Sequence, residues 1–241
     1  MEERTEGPAG AEPDPARVRR AVVEVARRTV ADGLVVGTSG NVSARVGDTI
    51  VITPSGVPYE RLDPAALPTA ALTGRPAHEG PGESGGPVPS SELPLHLAVY
   101  RARPEARAVV HTHAVHATAV STLVEEVPAV HYACAALGGP IRVAPYATYG
   151  TERLALVTVE ALRDRTACLL ANHGTIALGE ERDPVRALER ALERTAQLEW
   201  MCRVWLAASS VPGRAPALLP GAEIDRVIER LRGYGQPGDA A

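Results

Sequence analysis

Apolar residues recur along this chain with two different periods, one typical of helices and the other of strands. Between positions 18 and 29 they return every third or fourth residue, which predicts a helix capped by Asp14 and closed by Gly33. The same spacing later predicts the longest helix, from Asp183 to about Ala208. Between these helices, short apolar and β-branched runs bounded by glycine and proline predict strands.

The remaining elements mix strands and helices without an internal repeat. The predicted strands cover residues 49–53, 106–110, 167–170 and 175–178, and a hairpin is expected at 67–78. The further predicted helices cover residues 92–103, with Ser91 as the cap, 114–123, 152–163 and 222–231. Residues 79–89 are expected to be a surface loop and 141–149 to be irregular. This mixture predicts an α/β fold of three layers, with a mostly antiparallel central sheet and helices on both faces.

Length, charge and composition restrict the class of protein. We expect residues 15–235 to form one domain, flanked by a disordered tail at 1–14 and a short tail at 236–241. The net charge of -4 and the pI near 6.0 argue against a nucleic-acid or membrane-surface partner, because both surfaces are anionic. No window of 18 uninterrupted apolar residues occurs, so we expect a cytoplasmic protein that acts on a small molecule.

All 25 basic residues are arginine, and this absence of lysine limits the possible chemistry. Every mechanism that needs a lysine Schiff base is excluded. The chain has three cysteines, Cys134, Cys168 and Cys202, which form no closely spaced pair. We therefore expect reduced thiols within the core.

Two histidines end one of the predicted strands. His111 and His113 follow the run 106–110, and residues i and i+2 of a strand point to the same face. His173 ends a second apolar strand, and Glu92 follows two serines upstream. Three imidazoles with one open position are typical of a catalytic rather than a structural zinc site. The carboxylate would be a further ligand or a base.

A histidine at the end of a strand is more often a satisfied core residue than a metal ligand. A structural role is therefore the alternative for His111 and His113, and His173 before a glycine is the feature that favours a metal site. We expect structural roles for His78, His96 and His116, which lie away from this strand face, and the role of His131 stays open.

Segments rich in glycine and hydroxyl residues recur at 37–43, 55–56 and 90–91. Each one alone is explained by ordinary turn chemistry. Together they offer N–H and hydroxyl donors, and the last would lie at a helix N-terminus, where the helix dipole favours anions. The sequence therefore indicates a phosphate pocket without lysine, directly beside Glu92.

These motifs resemble those of the class II aldolase/adducin family. The resemblance runs from about residue 14 to residue 235 and rests on the segments Gly37-Thr38-Ser39-Gly40-Asn41-Val42-Ser43, Thr53-Pro54-Ser55-Gly56, Ser90-Ser91-Glu92, His111-Thr112-His113, His131-Tyr132, Ala144-Pro145-Tyr146-Ala147-Thr148, Asn172-His173-Gly174 and Tyr234-Gly235. It implies reversible cleavage of a ketose 1-phosphate, such as L-fuculose 1-phosphate, to dihydroxyacetone phosphate and an aldehyde through a metal-stabilised enediolate. Zn²⁺, one per subunit, would replace the missing lysine.

The resemblance also implies a role for each residue. The metal ligands would be Glu92, His111, His113 and His173, and the substrate-binding residues would be Gly40, Asn41, Ser55, Gly56, Ser90, Ser91 and Tyr234. Glu92 would move protons at the enediolate carbon once substrate displaces it from the metal. Tyr132 would act in the site of a neighbouring subunit of a homotetramer.

Sister activities of the same family are alternatives, because their substrates share the phosphate and ketose ends. They are methylthioribulose-1-phosphate dehydratase, deoxyribulose-1-phosphate aldolase and pentulose-phosphate 4-epimerase. The epimerases carry aspartate where Glu92 stands, which favours the aldolase. A non-catalytic interaction module of the adducin-head type is the alternative from another class, and the intact set of metal-ligand residues counts against it.

Overall fold

A single sheet forms the centre of the structure, a computed structural model that describes residues 13–74 and 87–233. Within those residues its strands are β1 (Asn41–Val46), β2 (Thr49–Ile52), β3 (Thr69–Ala71), β4 (Ala108–Thr112), β5 (Glu126–Val127), β6 (Ile141–Ala144), β7 (Ala167–Leu170) and β8 (Gly174–Gly179). They lie in the order β3-β2-β1-β4-β8-β7-β6-β5, and neighbours are antiparallel except β6 and β7. The predicted mostly antiparallel sheet is confirmed.

Helices cover both faces of this sheet. They are α1 (Pro15–Ala31), α2 (Leu93–Ala102), α3 (Val115–Ser121), α4 (Glu152–Ala161), α5 (Pro184–Ser209) and α6 (Gly221–Leu231). Helices α1, α3 and α5 share one hydrophobic core with the sheet, whereas α2 and α4 share the other. The predicted arrangement of three layers is confirmed.

The central strand β4 contributes to both hydrophobic cores. Ala108 and Val110 lie in the core with α5, and Val109 lies in the core with α2, because successive residues of a strand point to opposite faces. Strands that are buried on both faces appear in a sequence as continuous apolar runs, and for this reason the run at 106–110 predicts a strand. Polar side chains on such a strand are accommodated most easily at its ends.

Both long helices begin at signals that the local sequence supplies. The Asp14 carboxylate accepts a hydrogen bond from the backbone N–H of Ala16 at 2.9 Å, and the Asp183 carboxylate accepts one from Val185 at 3.3 Å. Proline follows each cap and needs no hydrogen-bond partner in the first turn. Arg17 pairs with Asp183 at 2.8 Å, so the beginnings of α1 and α5 are joined.

The structure corrects several predicted boundaries. Strand β1 begins inside the donor-rich segment at 37–43, because it pairs with β2 on one side and with β4 on the other. The segment at 141–149 contains β6, which pairs with β7. Strand β3 pairs with β2, and the second arm of the predicted hairpin, residues 75–78, lies outside the described residues together with 79–86 of the predicted loop.

Ser91 does not cap α2, contrary to the prediction. Glu92 occupies the N-cap position, and its side chain makes no capping hydrogen bond. One reason is that Pro94, the second residue of the helix, has no N–H for a capping side chain to bind. Ser90 accepts a hydrogen bond from the backbone N–H of Glu92 at 3.2 Å. The Glu92 carboxylate is therefore available for contacts outside the helix.

The remaining general predictions have mixed outcomes. The cysteines at 134, 168 and 202 are free and buried, as predicted. None of the described helices is long and apolar enough to cross a membrane. The predicted tails fall largely on residues 1–12 and 236–241, which lie outside the described residues, and so does Tyr234.

Candidate active site

Three imidazole rings meet where β4 and β8 lie side by side. His111 belongs to β4, His113 follows that strand, and His173 immediately precedes β8. The ring centroids of each pair are 4.8 to 4.9 Å apart, and Nε2 of His111 lies 3.0 Å from Nε2 of His113. The structure thus brings together three histidines from two separate parts of the chain.

The Glu92 carboxylate completes this cluster from the start of α2. Its Oε2 lies 3.0 Å from Nε2 of His111, and its Oε1 lies 3.5 Å from Nε2 of His173. One ligand atom from each of Glu92, His111, His113 and His173 can be chosen so that all lie within 4.8 Å of one another. Among the described residues, this is the group of side chains that could hold a metal ion.

Burial and mutual charge set the protonation of the cluster. Burial lowers the pKa of His113 and of His173 to about 4, and repulsion from His111 adds to the effect. Burial also favours the neutral ring of His111, but the Glu92 carboxylate outweighs it and raises the His111 pKa. Burial would raise the pKa of Glu92, yet His111, His173 and a hydrogen bond from Asn41 hold it below its ordinary value. His113 and His173 are therefore neutral at pH 7, the form that binds metals.

Two further details show that these residues fit a divalent ion. His111 donates from Nδ1 to the backbone carbonyl of Thr175 at 2.8 Å, which turns Nε2 toward the cluster. Oε1 of Glu92 is buried without a hydrogen-bond partner, which is costly for a carboxylate oxygen. A cation among the four side chains would satisfy this oxygen. Three nitrogen ligands and one carboxylate are a donor set that suits zinc.

Two glycines let the backbone approach the cluster closely. A Cβ at Gly174 would lie 2.1 Å from the carbonyl oxygen of Thr112 and 3.2 Å from the ring of His113. Gly40 has a φ of +78°, and a Cβ there would lie 2.6 Å from the carbonyl oxygen of His111. No larger residue fits at either position without moving β4. These contacts are a physical reason for glycine beside each histidine motif.

A cavity of about 290 Å³ opens beside the cluster. It is lined by Thr38, Ser39, Gly40, Asn41, Pro54, Ser55, Gly56, Ser90, Ser91, Glu92, His113, Tyr146, Ala147, Tyr149, Asn172 and His173. All three donor-rich segments of the sequence therefore reach one cavity. Among the described residues that line it there is no arginine, so this part of the cavity offers neutral donors and the N-terminus of α2 to an anion.

Some lining residues were not among the predicted site residues. Tyr146 and Tyr149 line the cavity and are largely exposed, and Asn172 lines it with a φ of +55° in the left-handed region. The backbone N–H of Asn172 donates to Ser121 at 3.1 Å, which helps to hold the turn before His173. An asparagine before His-Gly is the sequence signal for such a turn, since asparagine tolerates this conformation better than most residues.

The catalytic tyrosine that the sequence predicts does not line the cavity. Tyr132 is 56% exposed, and its ring stacks on His131 with centroids 4.5 Å apart. His131 accepts a hydrogen bond from the backbone N–H of Ala133 at 3.1 Å, so it caps the short helix that begins at Tyr132. The structure of one chain therefore leaves the Tyr132 hydroxyl on the surface.

Two further histidines have contacts outside the imidazole cluster. Nδ1 of His116 lies 2.6 Å from Glu199 of α5, whose carboxylate also accepts hydrogen bonds from backbone N–H groups at the start of α3. His96 is fully buried and forms a hydrogen bond with Asn41, which in turn donates to Glu92 at 2.9 Å. The sequence predicts a structural role for His96 because it lies away from the strand face of His111 and His113, and the structure connects it to Glu92 through Asn41.

Known proteins are similar to this chain over most of its length. The sequence profile of the Class II Aldolase and Adducin N-terminal domain matches residues 20–206. The L-fuculose phosphate aldolase of Escherichia coli (strain K12) is 40% identical over 220 residues, covering 91% of this chain and 96% of that protein. A 5-methylthioribulose-1-phosphate/5-deoxyribulose-1-phosphate aldolase of Rhodospirillum rubrum is 37% identical over 220 residues, covering 90% and 92%. A solved structure of an L-fuculose 1-phosphate aldolase has a TM-score of 0.82 at 30% identity, covering 92% of this chain and 100% of that one.

Proposed function

Because the chain belongs to the class II aldolase and adducin family and is an aldolase, we propose that its substrate is a ketose 1-phosphate of the L-fuculose 1-phosphate type, which it cleaves. The products would be dihydroxyacetone phosphate and an aldehyde, and the reaction would be reversible. One observation carries the proposal: the buried cluster of Glu92, His111, His113 and His173 borders a cavity lined by uncharged hydrogen-bond donors. Such a site suits a phosphorylated substrate that a metal ion activates.

We propose Zn²⁺ as the resident ion, held by the three imidazoles and by Glu92. The ion would act as a Lewis acid for the negative charge that develops on the carbon next to the carbonyl when the bond from that carbon to the following carbon breaks. The three histidines would hold the ion, and the hydrogen bond from Nδ1 of His111 to the Thr175 carbonyl fixes the orientation of that ring.

Glu92 is the proposed proton carrier on the side of the dihydroxyacetone phosphate. In the cleavage direction, the hydroxyl that becomes the aldehyde oxygen loses its proton, and the bonding electron pair stays on the carbon next to the carbonyl, which must then gain a proton. Glu92, ionised at first, would take up a proton to replace the one released by the hydroxyl and would pass it to that carbon. Glu92 borders the cavity, and Asn41 donates a hydrogen bond to its Oε2. General acid and base catalysis by a positioned carboxyl contributes ~10²–10⁴-fold.

The phosphate would lie at the donor-rich end of the cavity. We assign its binding to Gly40, Asn41, Ser55, Gly56, Ser90 and Ser91, with Tyr234 of the C-terminal segment as a further contact. The N-terminus of α2 would add its dipole, since Ser90 and Ser91 immediately precede that helix. One amide hydrogen of Asn41 is already donated to Glu92, and the second is left for the substrate.

Tyr132 would act across a subunit interface in a homotetramer, where it would exchange the proton on the oxygen of the aldehyde product. Its exposed ring supports this assignment. Mixing subunits tests it directly. In a random mixture of equal amounts of Glu92→Gln and Tyr132→Phe subunits, roughly a quarter of the interfaces combine an intact Glu92 with an intact Tyr132 of the neighbour. If the site spans the interface, the mixture should therefore recover roughly a quarter of the wild-type rate. If both residues act within one subunit, the mixture stays inactive.

A second candidate substrate class is supported by one comparison. The relative from Rhodospirillum rubrum is named for 5-methylthioribulose 1-phosphate and 5-deoxyribulose 1-phosphate. Both candidates predict release of dihydroxyacetone phosphate and differ in the aldehyde. The deciding experiment compares kcat/KM on L-fuculose 1-phosphate and these two ketose phosphates, with and without a chelator. Purified protein that binds no divalent metal and cleaves none of them would overturn the proposal and favour a non-catalytic module.

A further inference from the structure

Five buried polar side chains form a continuous hydrogen-bonded row between α2 and β1. We call this row the polar ladder; its members are Glu92, Asn41, His96, Ser43 and Tyr100. Asn41 donates to Glu92 at 2.9 Å and bonds to Nε2 of His96 through its carbonyl oxygen. The Ser43 hydroxyl lies 2.7 Å from Nδ1 of His96 and 2.8 Å from the Tyr100 hydroxyl. Each member is at most 5% exposed.

The spacing of the members places them on two facing surfaces. Residues 92, 96 and 100 follow at intervals of four and share one side of α2, whereas 41 and 43 share one face of β1. The ladder therefore alternates between helix and strand. Asn41 is also the residue opposite His111 in the pairing of β1 with β4. The ladder thus connects Glu92 to the strand pair that carries a metal ligand.

The charge at one end determines the direction of every hydrogen bond in the ladder. An ionised Glu92 only accepts, so the amide nitrogen of Asn41 faces it and the amide oxygen faces His96. His96 must then donate from Nε2 and accept at Nδ1, which leaves Ser43 as donor to the ring and Tyr100 as donor to Ser43. A neutral His96 satisfies this order completely. Burial lowers the His96 pKa to about 3, which keeps the ring neutral.

Packing alone does not require such a row. The neighbouring residues Leu95, Leu97 and Val99 of α2 already bury apolar surface in the same core. Buried polar groups add little stability relative to apolar groups of the same shape, and a ladder missing one member leaves unpaired atoms in the core. The polar ladder therefore calls for an explanation beyond stability, and its end on Glu92 indicates what that explanation is.

We propose that His96 is a positioning residue that acts through Asn41 to hold the Glu92 carboxylate at the imidazole cluster. His96 fixes the orientation of the Asn41 amide, and the amide fixes Oε2 of Glu92. Without His96 the amide can turn over, which would place its oxygen against the carboxylate and push Glu92 away from the histidines. The inference rests on the proposed function, since it assumes that Glu92 serves a bound metal.

The test compares His96→Leu, which removes both hydrogen bonds, with His96→Gln, which retains a donor and an acceptor. The dissociation constant for Zn²⁺ is measured by competition with a chromogenic chelator, and the visible absorption of the Co²⁺-substituted protein reports the ligand arrangement. We expect His96→Leu to weaken Zn²⁺ binding by about 10–100-fold and to change the Co²⁺ spectrum, because losses of this size are typical when a ligand loses its supporting hydrogen bond. His96→Gln should bind within about threefold of the wild type.

Two further variants separate positioning from a general loss of stability. Thr158→Val removes a buried hydroxyl of α4 that bonds to the Leu154 carbonyl, within the layer that also contains α2. It should leave Zn²⁺ binding unchanged, whatever its effect on the unfolding temperature. Ser43→Ala removes one donor from the middle of the ladder and keeps the fold testable if His96→Leu does not fold. It should weaken Zn²⁺ binding by several-fold, roughly between the two His96 variants.

The outcomes distinguish this inference from the proposed function. A wild-type protein that binds no divalent metal would contradict the proposed function itself. Wild-type protein that binds Zn²⁺ tightly, together with a folded His96→Leu or Ser43→Ala protein of unchanged affinity and Co²⁺ spectrum, would overturn the positioning role alone. Equal losses in Thr158→Val and in the ladder variants would also overturn it, since that result is the one expected from destabilisation.

Discussion

Replacing Glu92 by glutamine removes the proposed proton carrier while preserving the shape of the side chain. The glutamine oxygen can accept the hydrogen bond that Asn41 now donates to Oε2 at 2.9 Å. The new amide nitrogen would take the place of Oε1, which lies 3.5 Å from Nε2 of His173. The three imidazoles are untouched, so we expect the folded protein to bind about one metal ion per subunit when Zn²⁺ is in excess, with an affinity lowered by the loss of the carboxylate ligand.

The expected loss of activity follows from the role of the carboxylate. A positioned general acid or base contributes ~10²–10⁴-fold, so kcat should fall by that factor on any ketose 1-phosphate that the wild type cleaves. The corresponding increase in the activation free energy is about 3–5 kcal/mol. KM should change much less, because the donors assigned to the phosphate are unaltered. A glutamine variant that binds metal and turns over at the wild-type rate would refute the assignment of Glu92.

The assay couples release of dihydroxyacetone phosphate to NADH oxidation and measures the metal content of the same samples by atomic emission. Glu180→Gln is the matched control. Glu180 is a partly buried carboxylate that pairs with Arg103 at 2.7 Å and with Arg194 at 3.3 Å, and it does not line the cavity. Its substitution should lower the unfolding temperature and leave kcat unchanged. A similar loss of kcat in both variants would show that any buried carboxylate matters.

Three further predictions concern packing, pH and the exposed tyrosine. Gly174→Ala should lower the free energy of unfolding by ~1–3 kcal/mol or more and reduce the metal content, because its methyl group would lie 2.1 Å from the Thr112 carbonyl oxygen. Gly221→Ala is the control, since open space surrounds that position, and it should unfold like the wild type. The free energy of unfolding of the metal-free protein, measured by urea titration, should decrease as the pH falls from about 6.5 to about 3. Burial lowers the His96 pKa from 6.5 to about 3, so in this range the unfolded chain binds a proton that the folded chain does not. In His96→Gln the free energy of unfolding should decrease less over the same range. Tyr132→Phe should reduce kcat by ~10²–10⁴-fold at unchanged unfolding temperature, and an unchanged kcat would remove Tyr132 from the mechanism.

Features that depend on neighbouring residues in the sequence could be predicted. Asp14 and Asp183 each precede a proline and an amphipathic helix; Asp14 caps α1 as predicted, and α5 begins after Asp183 as predicted. The pair His111 and His113 lies on one strand end, so its shared direction follows from strand geometry. That His173 joins them depends on the antiparallel pairing of β4 with β8, which the sequence did not specify.

Features that depend on tertiary pairing could not be predicted. The start of β1 is not evident from the sequence, because Asn41 and Ser43 are typical turn residues and their polarity is explained only by the helix that they face. The contact of His96 also depends on tertiary structure. The sequence shows its spacing from Glu92, but its partner Asn41 lies 55 positions away. The cap of α2 lies one residue beyond the predicted Ser91, at Glu92, and Pro94 in the first turn has no N–H for a capping side chain to bind.

Strand β4 belongs to both hydrophobic cores and ends in the imidazole cluster. A displacement of either helical layer is therefore transmitted to the histidines along one short piece of backbone. Substitutions intended to raise heat resistance should accordingly begin at the two edges of the sheet, where β3 and β5 lie far from β4 in the strand order, because changes there are least able to displace the candidate active site.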